Sequence, residues 1–291
     1  MSTGQSNRQW TGRTDGLPWM LRSLITILRV VPLQVVYGIM DVVIIFYMIF
    51  RRSATKAQYQ LFHFRFGKKP FQALCSVYLN LRQFGKVVID RFAVYAGRKF
   101  NITIENNDWL EDSYRSELPL VILSGHAGNF ELAGYFLHPK QNKQMYVVLY
   151  GGEKEIVMQN RSKFLSANNI HLIAAQADNS YLFEINNALA DGHLLAILAD
   201  RMLGSNRMLK TEILGKEAQL PLGPFKTALL RPANKCVVYA IKKNTFDYTI
   251  YLRPVNATTP QELADEYAKI TTEIITQNPY QWYNYYNFWN D

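Results

Sequence analysis

His126 and Glu131 stand in the heptapeptide Gly-His-Ala-Gly-Asn-Phe-Glu, directly after the apolar run Leu120-Val-Ile-Leu123. A histidine there can take the proton of a hydroxyl. A carboxylate five residues later, within the first turns of the next helix, can accept a proton from one ring nitrogen, fixing the tautomer and leaving the other nitrogen as general base. That pair suits attack of a hydroxyl on a thioester, which is already reactive. The protein then needs only to position the reactants, deprotonate the hydroxyl and stabilise the oxyanion, without a serine or cysteine nucleophile. Gly125 and Gly128 would let substrate or backbone approach closely. Taken alone, the spacing fits equally a histidine that caps a helix.

The elements that must position this pair follow from the apolar pattern. Residues 120–123, 145–149, 170–173 and 194–198 read as buried strands, separated by helices near 129–137, 154–167 and 180–191. Such alternation predicts an α/β fold with a mostly parallel sheet covered by helices, and catalytic groups gather where its strands end. Residues 212–214, 237–241 and 248–252 add strands, the last two as an antiparallel pair, and a helix over 260–277 follows. Residues 55–97 carry apolar side chains at three- and four-residue steps and predict an amphipathic helical pair. The expected organisation is a membrane-attached segment over 1–52, a helical region over 53–99 and an α/β catalytic domain over 100–291.

Charge is divided unevenly along the 291 residues. Residues 1–100 hold fifteen Lys/Arg against three Asp/Glu, and residues 101–291 hold seventeen against twenty. Cations clustered beside apolar sequence suit anionic lipid headgroups. No recognition helix, zinc-finger spacing or RNA-binding aromatic motif supports a nucleic-acid partner. Between Arg29 and Arg51, 17 of 21 residues are apolar or aromatic, roughly one hydrocarbon thickness at a rise of about 1.5 Å per residue. Asp41 stands against a simple span, because a carboxylate near mid-membrane costs on the order of 3 kcal/mol. A transmembrane helix and a helix lying in the interface both remain open. For a spanning helix, Arg51, Arg52, Lys56, Arg65, Lys68 and Lys69 outnumber the preceding arginines, which places the following domain in the cytoplasm. Cys75 and Cys236 read as reduced thiols packed like small hydrophobes. The five histidines show no metal-ligand spacing, and no phosphate loop or dinucleotide fingerprint appears, so neither metal nor cofactor is expected.

The chain resembles the bacterial lipid A biosynthesis (late) acyltransferases of the lysophospholipid acyltransferase superfamily over almost its whole length. The resemblance rests on His126 and Glu131 as a His-x4-Glu motif, Arg161 in Gln-Asn-Arg-Ser-Lys, and Leu198-Ala-Asp200-Arg201. Leu220-Pro-Leu-Gly223-Pro224 and the ending Asn278-Pro-Tyr-Gln-Trp282 continue it. It departs from the usual pattern at Phe130, where the family has Trp, and at Arg201-Met202, where a second acidic residue is missing. Both departures, with the aromatic ending, are more similar to the subgroup of aryl-polyene and related lipid-pigment pathways.

The resemblance implies an O-acyltransferase of the bacterial inner membrane, with its catalytic domain on the cytoplasmic face. It would pass a fatty or polyene acyl group from acyl carrier protein, or from coenzyme A, to a hydroxyl of a membrane glycolipid or other lipid acceptor. His126 and Glu131 would be catalytic. Asn129, Arg161, Asp200, Arg201 and Gly223 would contact substrate. Each has a plainer reading: Arg161 as a solvated helix charge, Asp200 with Arg201 as a structural ion pair, Gly223-Pro224 as turn chemistry. The aromatic tail suits either interfacial anchoring or packing on the sheet edge. Two other functions stay open, a catalytically silent lipid-binding protein and a thioester hydrolase.

Overall fold

The computed structural model describes residues 18–50, 52–137, 143–150, 169–175, 180–201, 207–286 and 288–289. The described residues before the sheet are helical: α1 (Pro18–Val30), α2 (Leu33–Phe50), α3 (Arg52–Gln60), a π-helical turn (Leu61–Arg65) and α4 (Pro70–Tyr95). Pro32 separates α1 from α2 because proline has no amide hydrogen to continue the ladder. Pro70 opens α4, where that missing donor is unneeded.

The sheet follows, with β1 (Asn101–Ile104), β2 (Leu120–Ser124), β3 (Met145–Tyr150), β4 (Ile170–Ala175), β5 (Leu194–Leu198), β8 (Asn234–Lys242) and β9 (Asp247–Pro254) in the order β1-β9-β8-β2-β5-β3-β4. Every pairing is parallel except β8 with β9, the hairpin expected from the sequence. Helices α5 (Asn107–Arg115), α6 (Phe130–Phe136), α7 (Tyr181–Ala190), α8 (Leu222–Ala228) and α9 (Pro260–Gln277) complete the α/β fold. β2 is buried at all five residues, as its uninterrupted apolar run requires of a central strand covered on both faces. Its alternate side chains divide the core. Val121 and Leu123 face one apolar cluster with α9, while Leu120 and Ile122 face another with α5 and α6.

Three details depart from the sequence expectation. The strand at 212–214 is one arm of a separate antiparallel ribbon, β6 (Met208–Ile213) with β7 (Lys216–Pro221), and Leu214-Gly215 is its turn, both residues having positive φ. β1, whose burial only alternates between exposed and intermediate, was hidden by its mixed composition. Cys75 is exposed on α4, not packed; Cys236 is buried as expected. The helix expected over 154–167 lies outside the described residues.

Candidate active site

Parallel pairing of β2 with β5 puts Ser124 opposite Leu198. His126 and Asp200 each follow two residues later, so equal extension of two neighbouring strands brings them together. The His126 Nδ1 lies 2.7 Å from Asp200 Oδ1, and the His126 backbone N–H donates to Asp200 Oδ2 at 2.7 Å. Both carboxylate oxygens thus serve one residue. Burial alone would raise the Asp200 carboxyl, but His126 and the Arg201 guanidinium outweigh it and hold it below the usual carboxylate range. Charged Asp200 can only accept, so Nδ1 carries a hydrogen, and in the neutral imidazole Nε2 is then the nitrogen with the free lone pair. The imidazole is 27% exposed, and among the described residues its Nε2 has no hydrogen-bond partner. A histidine so held can act as a general base.

The space behind the pair is closed by aromatic hydroxyls. Tyr267 donates to the Ser124 carbonyl at 3.1 Å, and Tyr239 donates to the Tyr267 hydroxyl at 3.0 Å. A Cβ at Gly125 would press on Tyr267 Oη, Asp200 Oδ2 and Tyr239 Oη together, so glycine is needed there for the His–Asp contact. Gly128 has φ +67°, and a Cβ would collide with the Ala240 backbone carbonyl. Gly128→Ala should therefore destabilise the protein by about 2–4 kcal/mol, from left-handed strain and overpacking combined. The measurement is thermal unfolding, and an unchanged transition would show that the loop relaxes elsewhere.

The C-terminal tail braces this loop from the other side. Gly128 N–H donates to the Gln281 carbonyl and Tyr283 N–H to the His126 carbonyl, both at 2.8 Å. The Gln281 side-chain amide makes a two-bond pair with the Lys242 backbone, at 2.9 and 2.8 Å. Arg201 donates to the Tyr283 carbonyl at 3.1 Å and lies over the Tyr286 ring. Trp282, Tyr283 and Asn284 are buried, so this part of the tail follows the packing reading. Nothing short of the folded sheet brings residues 281–283 to His126; the only sequence signal was the resemblance of the ending.

Glu131 is placed differently from the expectation that it orients the imidazole. It accepts from Arg91 at 2.8 Å, Tyr95 at 2.5 Å and Tyr135 at 2.8 Å. The reason is local. Asn129 caps α6 by accepting from Leu132 N–H, which starts the helix with Glu131 on the face toward α4, whereas His126 belongs to the loop over β5. Asn129 itself is 2% exposed and engaged as the cap, a scaffold placement where substrate contact was expected. Gly223 lies in the first turn of α8, whose Phe225 packs edge-on against Tyr267 behind the His126 loop. Arg161 lies outside the described residues.

A strand-end histidine paired with a buried carboxylate, in a mostly parallel α/β sheet, defines a site suited to proton transfer. Residues 8–290 match the family model for bacterial lipid A biosynthesis acyltransferase. The chain belongs to that family and is a lipid A-type acyltransferase. No curated protein matches it.

Proposed function

We propose that the protein transfers a fatty acyl group from an acyl thioester, with acyl carrier protein as donor, to a hydroxyl of a membrane glycolipid acceptor, using His126 as general base. The observation that carries this reading is the Asp200–His126 pair, which sets the tautomer needed for Nε2 to accept a proton. Nε2 takes the acceptor's hydroxyl proton as the oxygen attacks the thioester carbonyl. The tetrahedral intermediate then collapses with cleavage of the C–S bond. The leaving thiolate takes the proton from the imidazolium, so the products are an ester and a free thiol. In this reading Glu131 acts through α6: its bonds from Arg91, Tyr95 and Tyr135 hold that helix on α4 and so help to position the loop that carries His126. The basic N-terminal region would attract both an acidic carrier protein and anionic lipid at the inner face of the bacterial inner membrane. Arg161, Arg201 and Gly223 remain proposed substrate contacts, with Arg161 suited to a phosphate or carboxylate.

His126→Ala should abolish transfer without loss of folding, and Glu131→Ala should lower both transfer and stability, because it leaves Arg91 without its counter-charge. Mass spectrometry of total lipids from cells carrying wild-type protein or His126→Ala should show a species differing by one acyl unit. That difference would name acyl chain and acceptor, including an aryl-polyene-type acceptor. Near-normal turnover by either variant would remove that residue from the mechanism.

A further inference from the structure

We infer that α2 does not cross the bilayer but lies along one leaflet, with its polar stripe docked on α4 and its opposite face against lipid. By length and composition alone α2 could span, being 18 residues with mean hydropathy 2.1. Its contacts exclude that placement. It runs antiparallel to α4 for most of its length: Tyr37 donates to Asp90, Asp41 pairs with Arg82 at 2.7 Å, and Ile44 packs with Val77 and Leu81. A Cβ on Gly85 would strike the Met40 side chain, so the helices are in close contact midway. These positions recur every three or four residues and form one stripe.

α4 is also tied to the catalytic unit. Asn80 donates to the Trp282 carbonyl at 2.8 Å, Asp90 accepts from Lys242 of β8 at 2.5 Å, and Arg91 pairs with Glu131 of α6 at 2.8 Å. Arg98, just beyond α4, also ties down the α1–α2 turn by donating to the Leu28 and Val31 carbonyls at 2.8 and 3.0 Å. A spanning α2 would carry α4 and the adjoining sheet into hydrocarbon, with charged groups at mid-membrane, where they are poorly tolerated. Lying flat, α2 offers lipid a wide apolar face that includes Val35, Ile39, Val42 and Phe46, all more than half exposed. At the end where α2 meets α3, Arg52, Lys56 and Lys69 are exposed, matching the charge of anionic headgroups. The N-terminal basic excess then marks headgroup contact and not transmembrane orientation, and both chain ends lie on one side.

The test needs no acyl-transfer assay, so its outcome is independent of the proposed function. In full-length protein with Cys75→Ser, Ser2→Cys and Arg115→Cys would be labelled with a membrane-impermeant maleimide in inside-out and right-side-out vesicles. Both should react in one orientation and neither in the other; labelling in opposite orientations would overturn the inference. As a second readout, nitroxides at positions 35, 39, 42 and 46 in phosphatidylethanolamine–phosphatidylglycerol vesicles should show a near-constant ratio of oxygen to nickel access. A peak at the middle of α2 would mean a spanning helix. Immobilised labels with little access to either quencher would mean that a protein partner, such as a second copy, covers the face. Either result overturns the in-plane placement.

Discussion

Asp200→Asn should lower acyl-transfer turnover by roughly 100- to 10,000-fold while leaving the protein folded. The carboxylate holds the imidazole through two bonds, one to the ring and one to the backbone N–H. The amide can keep the geometry of one acceptor oxygen, but its NH2 group can force the other imidazole tautomer, a change known to cost on the order of 10,000-fold in a comparable triad. The substitution also removes the negative charge that compensates the imidazolium formed at the transition state. Steady-state transfer rates measure the effect, alongside circular dichroism to show retained fold. A loss below about tenfold would mean that Asp200 is structural support and that the imidazole needs no carboxylate to orient it. A pH signature accompanies it. The Asp200 carboxyl is held below its ordinary value, so its contribution to stability is present above the unfolded-state value, about 3.9, and is lost as pH falls through the lower folded value. Asp200→Asn should remove that part of the acid sensitivity.

Much of this site was readable before the fold was known. The apolar runs at 120–123 and 194–198 are β2 and β5, and both end toward the same sheet edge, so His126 and Asp200 could be placed on one edge. Their exact partnership could not. It depends on the 124-to-198 register and on the absence of a side chain at Gly125, neither of which a linear motif reports. The His-x4-Glu spacing favoured Glu131 as orienter, but spacing along a loop and helix start does not say which way a side chain faces. The Asn129 cap and the Arg91, Tyr95 and Tyr135 donors decide that, and two of those three come from a helix 36–40 residues earlier. The C-terminal helix over 260–277 matched because Thr259 and Glu262 form a capping box after Val255 and before the apolar stripe. By contrast, the role of Gln281 arises from long-range backbone pairing with Gly128 and Lys242, which local sequence cannot encode.

The same long-range logic makes the contact between α4 and β8 the most sensitive point for stability. Asp90 and Lys242 are both buried, with an N–O distance of 2.5 Å and side-chain exposures of 0% and 3%. Tyr37 from α2 and Tyr248 from β9 also donate to Asp90, so one carboxylate joins the N-terminal helices to the sheet. Lys242 lies over the rings of Tyr37, Phe100 and Tyr248 and donates to the Thr245 carbonyl at 2.8 Å. Removing the carboxylate leaves an ammonium without its counter-charge and two phenols without an acceptor. Asp90→Ala should therefore cost about 3–5 kcal/mol, lowering the melting temperature of a protein of this size by roughly 10 °C. Lys242→Met on top of Asp90→Ala should recover most of the loss, because a buried ion pair stabilises little relative to apolar residues of similar volume, whereas a single buried charge is expensive. Thermal unfolding of the two variants in detergent, with a double-mutant cycle, measures the coupling. A cycle with no coupling would mean that water reaches Lys242 once Asp90 is gone. In that event α2 and α4 would be held by their apolar contacts and by the remaining polar ties at Asn80 and Arg91, and Asp90 would contribute orientation rather than stability.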